Sequence, residues 1–197
     1  MLRRTSLSRT LFGPLIVAIV LAMAVRSVVR VYSIPSRSMQ PALQVGDHIA
    51  VMPYWRNAHP ERGDVVVFRS PADPSEFLVK RVIAVPGELI ASRSGLVTIG
   101  GRPLTEPYLS APASTASIEP QLVPQNCLFV MGDNRTTSLD SRSWGVLPFD
   151  RIVGRARLVL WSSHGDSASP AAFASSRESW PHDLLRRDRV RLLLPIN

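Results

Sequence analysis

Among the 23 basic side chains of this sequence only Lys80 is a lysine. It lies in Phe77-Leu78-Val79-Lys80-Arg81-Val82-Ile83-Ala84-Val85, where nearly every neighbour is apolar. A guanidinium stays protonated in proteins, whereas a desolvated ammonium can give up its proton. A lone lysine in an arginine-rich chain therefore marks a candidate proton acceptor, although arginine-rich residue usage alone would also leave one lysine behind. The partner chemistry comes from Ser36 and Ser38, which point to one side of an extended chain stiffened by Pro35 and Pro41. Such a pair can supply a nucleophilic hydroxyl and a second hydroxyl for a developing oxyanion. By itself Ser-x-Ser is equally a polar linker. A third segment, residues 132–145, packs Asp133, Arg135, Ser138, Asp140 and Arg142 behind an apolar run at 128–131. Its acids and arginines can form a salt-bridged loop, or exposed pairs contributing only about 0–1 kcal/mol each.

The lysine and the serines fit together chemically. At an ordinary lysine pKa only about one amine in 2,500 is neutral at pH 7. Burial beside Leu78, Val79 and Val82 disfavours the ammonium, and a fall of about two units raises the neutral fraction roughly a hundredfold. A neutral Lys80 can take the proton of one of the two serine hydroxyls during attack on a carbonyl, then protonate the leaving amine. No histidine or metal is required. The four histidines, His48, His59, His164 and His182, show no ligand spacing, and Cys127 is the only cysteine, so metal clusters and intrachain disulfides are not expected.

Positioning these groups calls for a rigid scaffold, and the sequence past residue 31 predicts a mainly β one. Residues 65–68, 77–85, 96–99, 128–131 and 152–161 are short β-branched or aromatic runs punctuated by Gly, Pro and Asp. Residues 97–104 predict a tight hairpin about Gly100-Gly101. Seventeen prolines argue against long helices past the N-terminal block. Residues 111–121 and 162–179 read as loops. Alternating charge and leucine near residues 186–191 fits a basic tail or a peripheral strand.

The N-terminal block sets an expectation about location. Residues 11–25 carry no charge and follow Arg3, Arg4 and Arg9, which predicts a single transmembrane helix with a cytoplasmic N-terminus. A cleavable signal sequence ending at Ala22-Met23-Ala24 is the competing reading. Either way the remainder is expected to be exported. The net charge of +8 is scattered, with no nucleic-acid-reading signature. The expected organisation is a cytoplasmic stub and anchor at 1–31, an exported β-rich domain at 32–163, and a loop and basic tail at 164–197. From residue 31 to Ser38 an extended chain spans at most about 25 Å, so the serine pair is expected near the outer membrane face.

Taken together, Pro35-Ser36-Arg37-Ser38-Met39-Gln40-Pro41-Ala42-Leu43, Gly46-Asp47-His48-Ile49-Ala50-Val51, Arg62-Gly63-Asp64-Val65-Val66-Val67-Phe68, Lys80-Arg81-Val82-Ile83-Ala84-Val85-Pro86-Gly87-Glu88 and the 132–145 block resemble the type I signal peptidases. These are membrane-anchored Ser–Lys endopeptidases built on coiled antiparallel β-sheets, and the resemblance implies that residues 32–163 are the catalytic domain, with a small β subdomain near 88–126. The resemblance implies Ser38 as nucleophile and Lys80 as general base. It implies Ser36 with the Ser38 N–H as the oxyanion hole, and Ser138 as the residue orienting Lys80. Asp133, Asp140 and Arg142 would form structural ion pairs, and Ile34, Met39, Leu43 and Val79 shallow pockets for small side chains. Arg37 stands where many members have Gly, and Ala42 where Thr is common. The implied enzyme needs no cofactor and no metal. It sits as a single-pass protein in the bacterial inner membrane with its catalytic domain outside, meets the lipid bilayer, binds no nucleic acid, and cuts exported preproteins after A-x-A-like sites. A pilin-maturing relative of the same clan, a self-cleaving Ser–Lys repressor and a non-enzymatic tethered β domain are the alternatives.

Overall fold

The computed structural model describes residues 7–55, 58–109, 115–163 and 191–192. The chain divides into two compact units, Met1–Arg30 and Val31–Asn197.

The first unit is built on helix α1, Leu7–Val28, which contains Pro14. Among the described residues no helix is long and apolar enough to cross a membrane. This corrects the expectation of a transmembrane anchor, and with it the single-pass inner-membrane location. The physical reason is length. The uncharged run at 11–25, bounded by Arg9 and Arg26, covers only about 22 Å of helix at 1.5 Å per residue. A bilayer core of about 30 Å needs about 20 predominantly apolar residues.

The second unit is mainly β, as its alternating and β-branched runs require. The large sheet has the strand order β1-β2-β11-β3-β4-β9-β10, with β12 pairing β11. Its members are β1 (Arg30–Ser33), β2 (Asp47–Met52), β3 (Val65–Arg69), β4 (Phe77–Ala84), β9 (Cys127–Met131), β10 (Leu147–Pro148), β11 (Ile152–Ser162) and β12 (Arg191–Leu192). A second sheet runs β7-β6-β5-β8, from β5 (Leu89–Arg93), β6 (Leu96–Ile99), β7 (Arg102–Pro103) and β8 (Ile118–Leu122). The pairings among β2 to β12 are antiparallel, and β11 is long enough to pair with β2 along one stretch and β3 along another. The β6–β7 turn places Gly100 and Gly101 at φ 57° and 79°, a left-handed pair that glycine adopts without steric cost.

Three apolar clusters fix the register of β4. Val79 packs beside the cluster of Ile34, Met39, Leu43, Ile49, Val51, Val65 and Val67. Leu78 and Val82 pack with Val66, Phe68, Leu128, Val130 and Leu147. Ile83 and Ala84 join Ile90, Val97, Ile118, Phe129 and Met131, which ties the small sheet to the large one. A one-residue slip of β4 would turn these apolar side chains toward the wrong face, so burial pins Lys80 opposite Val66.

One expected loop is a strand. Residues 118–121 belong to β8, because Ile118 is buried in the small-sheet core and Pro120 is tolerated on an edge strand. Residues 111–114, most of 162–179 and most of the basic tail lie outside the described residues.

Candidate active site

Two loops and a strand of the large sheet meet at the candidate site. Ser36 and Ser38 lie in the turn-rich segment between β1 and β2, Lys80 lies on β4, and residues 132–140 follow β9. The loop carrying Ser38 is fastened at both ends: Gly46 N–H donates to Ile34 O at 2.8 Å, and Asn134 N–H donates to Ser38 O at 3.0 Å. Met39 and Leu43, 1% and 0% exposed, anchor it from beneath.

Lys80 Nζ and Ser38 Oγ are hydrogen-bonded at 2.7 Å, with both residues buried. Ser36 Oγ lies 3.3 Å from Ser38 Oγ, so the two hydroxyls share one side of the turn. Among the described residues no carboxylate forms an ion pair with Lys80. Burial pushes its pKa down to about 8. The charges of Asp140 and Asp133 pull it upward and Arg142 pushes it further down, and desolvation outweighs them. At that value roughly one amine in ten is neutral at pH 7, against about one in 3,000 for an exposed lysine.

The loop after β9 is held by buried, hydrogen-bonded charges. Asp140 receives two bonds from Arg142, each 2.7 Å, and one from Gly132 N–H at 3.0 Å. It also caps the short helix α2, Ser141–Trp144, by accepting from Arg142 N–H. Desolvation raises the Asp140 pKa, but the bonds from Arg142 and Gly132 and the neighbouring Ser138 hydroxyl outweigh it and keep the carboxylate below its ordinary range. Asp133 faces Arg81 through two bonds of 2.8 and 2.6 Å. A Cβ on Gly132 would come within 2.3 Å of Ser138 Oγ and 2.5 Å of Ser38 O, so only glycine lets these two loops touch.

Residues 8–161 match the family described as signal peptidase, peptidase S26. The chain belongs to the signal peptidase I family. It is 40% identical over 154 residues to signal peptidase I of Leptolyngbya laminosa, covering 73% of this chain and 75% of that one. Over 155 residues it is 36% identical to probable signal peptidase I-2 of Synechocystis sp., covering 75% and 70%. A solved signal peptidase I from Enterococcus faecalis is 30% identical, covers 50% of this chain and 97% of its own, and has a TM-score of 0.46. The chain is accordingly an enzyme, a serine endopeptidase by family.

Within this signal peptidase family member the expected site residues fall into three groups. Ser36, Ser38 and Lys80 are brought together. Asp140 and Arg142 pair with each other, whereas Asp133 pairs with Arg81 on β4. Ser138 Oγ is buried beside Gly132 and faces Asp140, with no hydrogen bond to Lys80. Ile34, Met39 and Leu43 are 3%, 1% and 0% exposed and belong to the core, while half-buried Val79 keeps some surface. Sequence reasoning assigned no partner to Arg81 and no role to Glu106 or Tyr108. Arg81 was legible as the guanidinium beside the lone lysine, but Glu106 and Tyr108 lie 29 and 27 residues from their partner Arg135 with no local pattern to join them.

Proposed function

We propose that this chain cleaves exported preproteins on the C-terminal side of small-residue, A-x-A-like signal sequences, with Ser38 as nucleophile and Lys80 as general base. The observation that carries the proposal is the buried 2.7 Å bond between Lys80 Nζ and Ser38 Oγ in a site where, among the described residues, no carboxylate forms an ion pair with Lys80. In the neutral form the hydroxyl donates to the amine. As Oγ attacks the scissile carbonyl its proton passes to Nζ, and the ammonium then protonates the departing amine. The regenerated amine activates water for release of the acyl group. Ser36 Oγ and the Ser38 N–H are the proposed donors to the oxyanion. Asp133, Asp140 and Arg142 hold the loop that backs Ser38, and Ser138 is the proposed neighbour that orients the amine. Val79 is the proposed apolar wall of the substrate groove, with Ile34, Met39 and Leu43 supporting it from the core.

The test is cleavage of a solubilised model preprotein by wild type and by Ser38→Ala. Cutting after A-x-A by wild type, with kcat/KM rising as pH passes through about 8, supports the reading. Loss of cutting in a folded Ser38→Ala variant completes it, and an unchanged Ser38→Ala rate sinks it. Contact with lipid is a separate part of the proposal. It is supported by the exposed apolar side chains of α1, among them Ile16, Val17, Leu21 and Met23 at 59–67%, and liposome flotation tests it.

A further inference from the structure

A second layer of buried polar groups lies behind the Lys80–Ser38 pair and reaches it from the small-sheet side of the molecule. Arg135, whose side chain is 1% exposed, donates through Nε to Gly132 O at 3.1 Å. Its other nitrogens grip Glu106 through both carboxylate oxygens and Thr115 Oγ1 at 3.0 Å. Tyr108 donates its hydroxyl to Glu106 and lays its ring under the Arg81 guanidinium, 4.2 Å from centroid to Cζ. Arg81 in turn holds Asp133 and donates to Gly63 O at 2.9 Å. Glu106 and Tyr108 follow β7 on one segment of chain, so one short loop grips both arginines that frame residues 132–135.

We infer that Glu106, seconded by Tyr108, is a positioning residue for the catalytic pair, acting through Arg135 on Gly132 and through Arg81 on Asp133. This rests on the reading of Lys80 as the base. The position matters because Gly132 is the point where Ser138 and the Ser38 carbonyl meet closer than any Cβ allows, and Asn134 N–H holds the Ser38 carbonyl itself. A shift of Gly132 is therefore passed directly to the nucleophile, and about 1 Å of misplacement can cost about 10²-fold in rate. Glu106 also balances charge. Arg81 is paired with Asp133 and Arg135 with Glu106, and Asp133 is the member of this set whose charge acts on Lys80. Neutralising Glu106 leaves one guanidinium uncompensated and disfavours the ammonium of Lys80.

The experiment measures kcat, KM and the pH profile of preprotein cleavage for the full chain as wild type, Glu106→Gln, Glu106→Asp and Tyr108→Phe. Glu106→Gln is expected to lower kcat about tenfold to a hundredfold with KM changed less than about twofold. The acid limb of its kcat/KM profile is expected to move down by about half a pH unit or more. Glu106→Asp, which keeps the charge, is expected to return the limb to its wild-type position. A folded Glu106→Gln enzyme with an unmoved limb overturns the proposal, even if its stability falls, because a merely structural pair would behave that way. If Glu106→Gln does not fold, Tyr108→Phe decides: it keeps the ring on Arg81 and loses the bond to Glu106, so an unchanged kcat and profile overturn the proposal. A wild-type profile with no limb near pH 8 removes the Lys80 reading itself, and this proposal with it. A wild-type limb that none of the variants moves removes only this one.

Discussion

Lys80 and Arg81 are consecutive cations on one strand, 3% and 4% exposed, and they live under opposite electrostatics. The Arg81 side meets Asp133 in a two-point bond, a backbone carbonyl and the face of Tyr108. The Lys80 side meets a neutral hydroxyl and no counter-ion among the described residues. Strand alternation sends the two side chains to different faces, so one residue of separation produces two environments. The difference teaches how a buried cation is kept or discharged. A planar fork with a matched carboxylate stays ionised, whereas an unpaired ammonium is biased toward the neutral amine. One is suited to structure and the other to proton transfer.

Exchanging the two behaviours is the strongest way to break the comparison. Lys80→Arg retains charge and bulk but cannot release a proton, and a loss of at least about 10⁴-fold in kcat is expected. Appreciable activity in that variant would show that the amine is not the base. On the other face, Asp133→Ala strands Arg81 without its partner. A loss of about 3–5 kcal/mol in unfolding free energy is expected, read from the shift of a denaturant midpoint. A change below about 1 kcal/mol would mean that water replaces the carboxylate and that Arg81 is less confined than its contacts imply.

Ser36→Ala sharpens the Lys80 side. If the hydroxyl 3.3 Å from Ser38 Oγ serves the oxyanion, kcat should fall by about 10²–10³ with KM nearly unchanged. A mainly KM effect would instead make Ser36 a substrate contact. Lys80→Met tests what the unpaired amine costs the fold. Because the folded pKa of Lys80 lies near 8 against an ordinary 10.5, the charged form is destabilised by about 3 kcal/mol at most. That penalty is fully present below pH 8, shrinks as pH rises from about 8 to 10.5 because the unfolded chain then binds more protons, and is absent above. Lys80→Met should therefore be the more stable protein at neutral pH, by up to that amount, with the advantage fading across the same window. Thermal unfolding at several pH values gives the answer, and a constant difference would contradict the depressed pKa.

The candidate site residues were legible in the sequence because each left a local signal. Lys80 is the lone lysine, Ser36 and Ser38 share an extended turn between prolines, and Asp140 with Arg142 sit two residues apart. The β-branched runs located β3, β4, β6, β9 and β11, since burial of alternating side chains is written in short-range pattern. The strand β8 was hidden by Pro120 and by its polar neighbours, which an edge position tolerates. The N-terminal helix was read as a membrane span from its lack of charge, but the apolar run is too short to be one.

What the sequence determined by itself is the set of candidate groups and the family to which the chain belongs, because residue type and spacing survive without coordinates. Only the tertiary structure decided that Arg81 is the partner of Asp133, that Glu106 reaches across to Arg135, and that Ile34, Met39 and Leu43 are core. The physical reason is range. Periodicity and turn chemistry act over a few residues, whereas a buried ion pair is made by whichever charged groups the sheets carry into the same water-free volume. Lys80 stands at the meeting of both. Its identity is plain in the chain, and its lowered pKa exists only because the fold buries it beside a neutral hydroxyl.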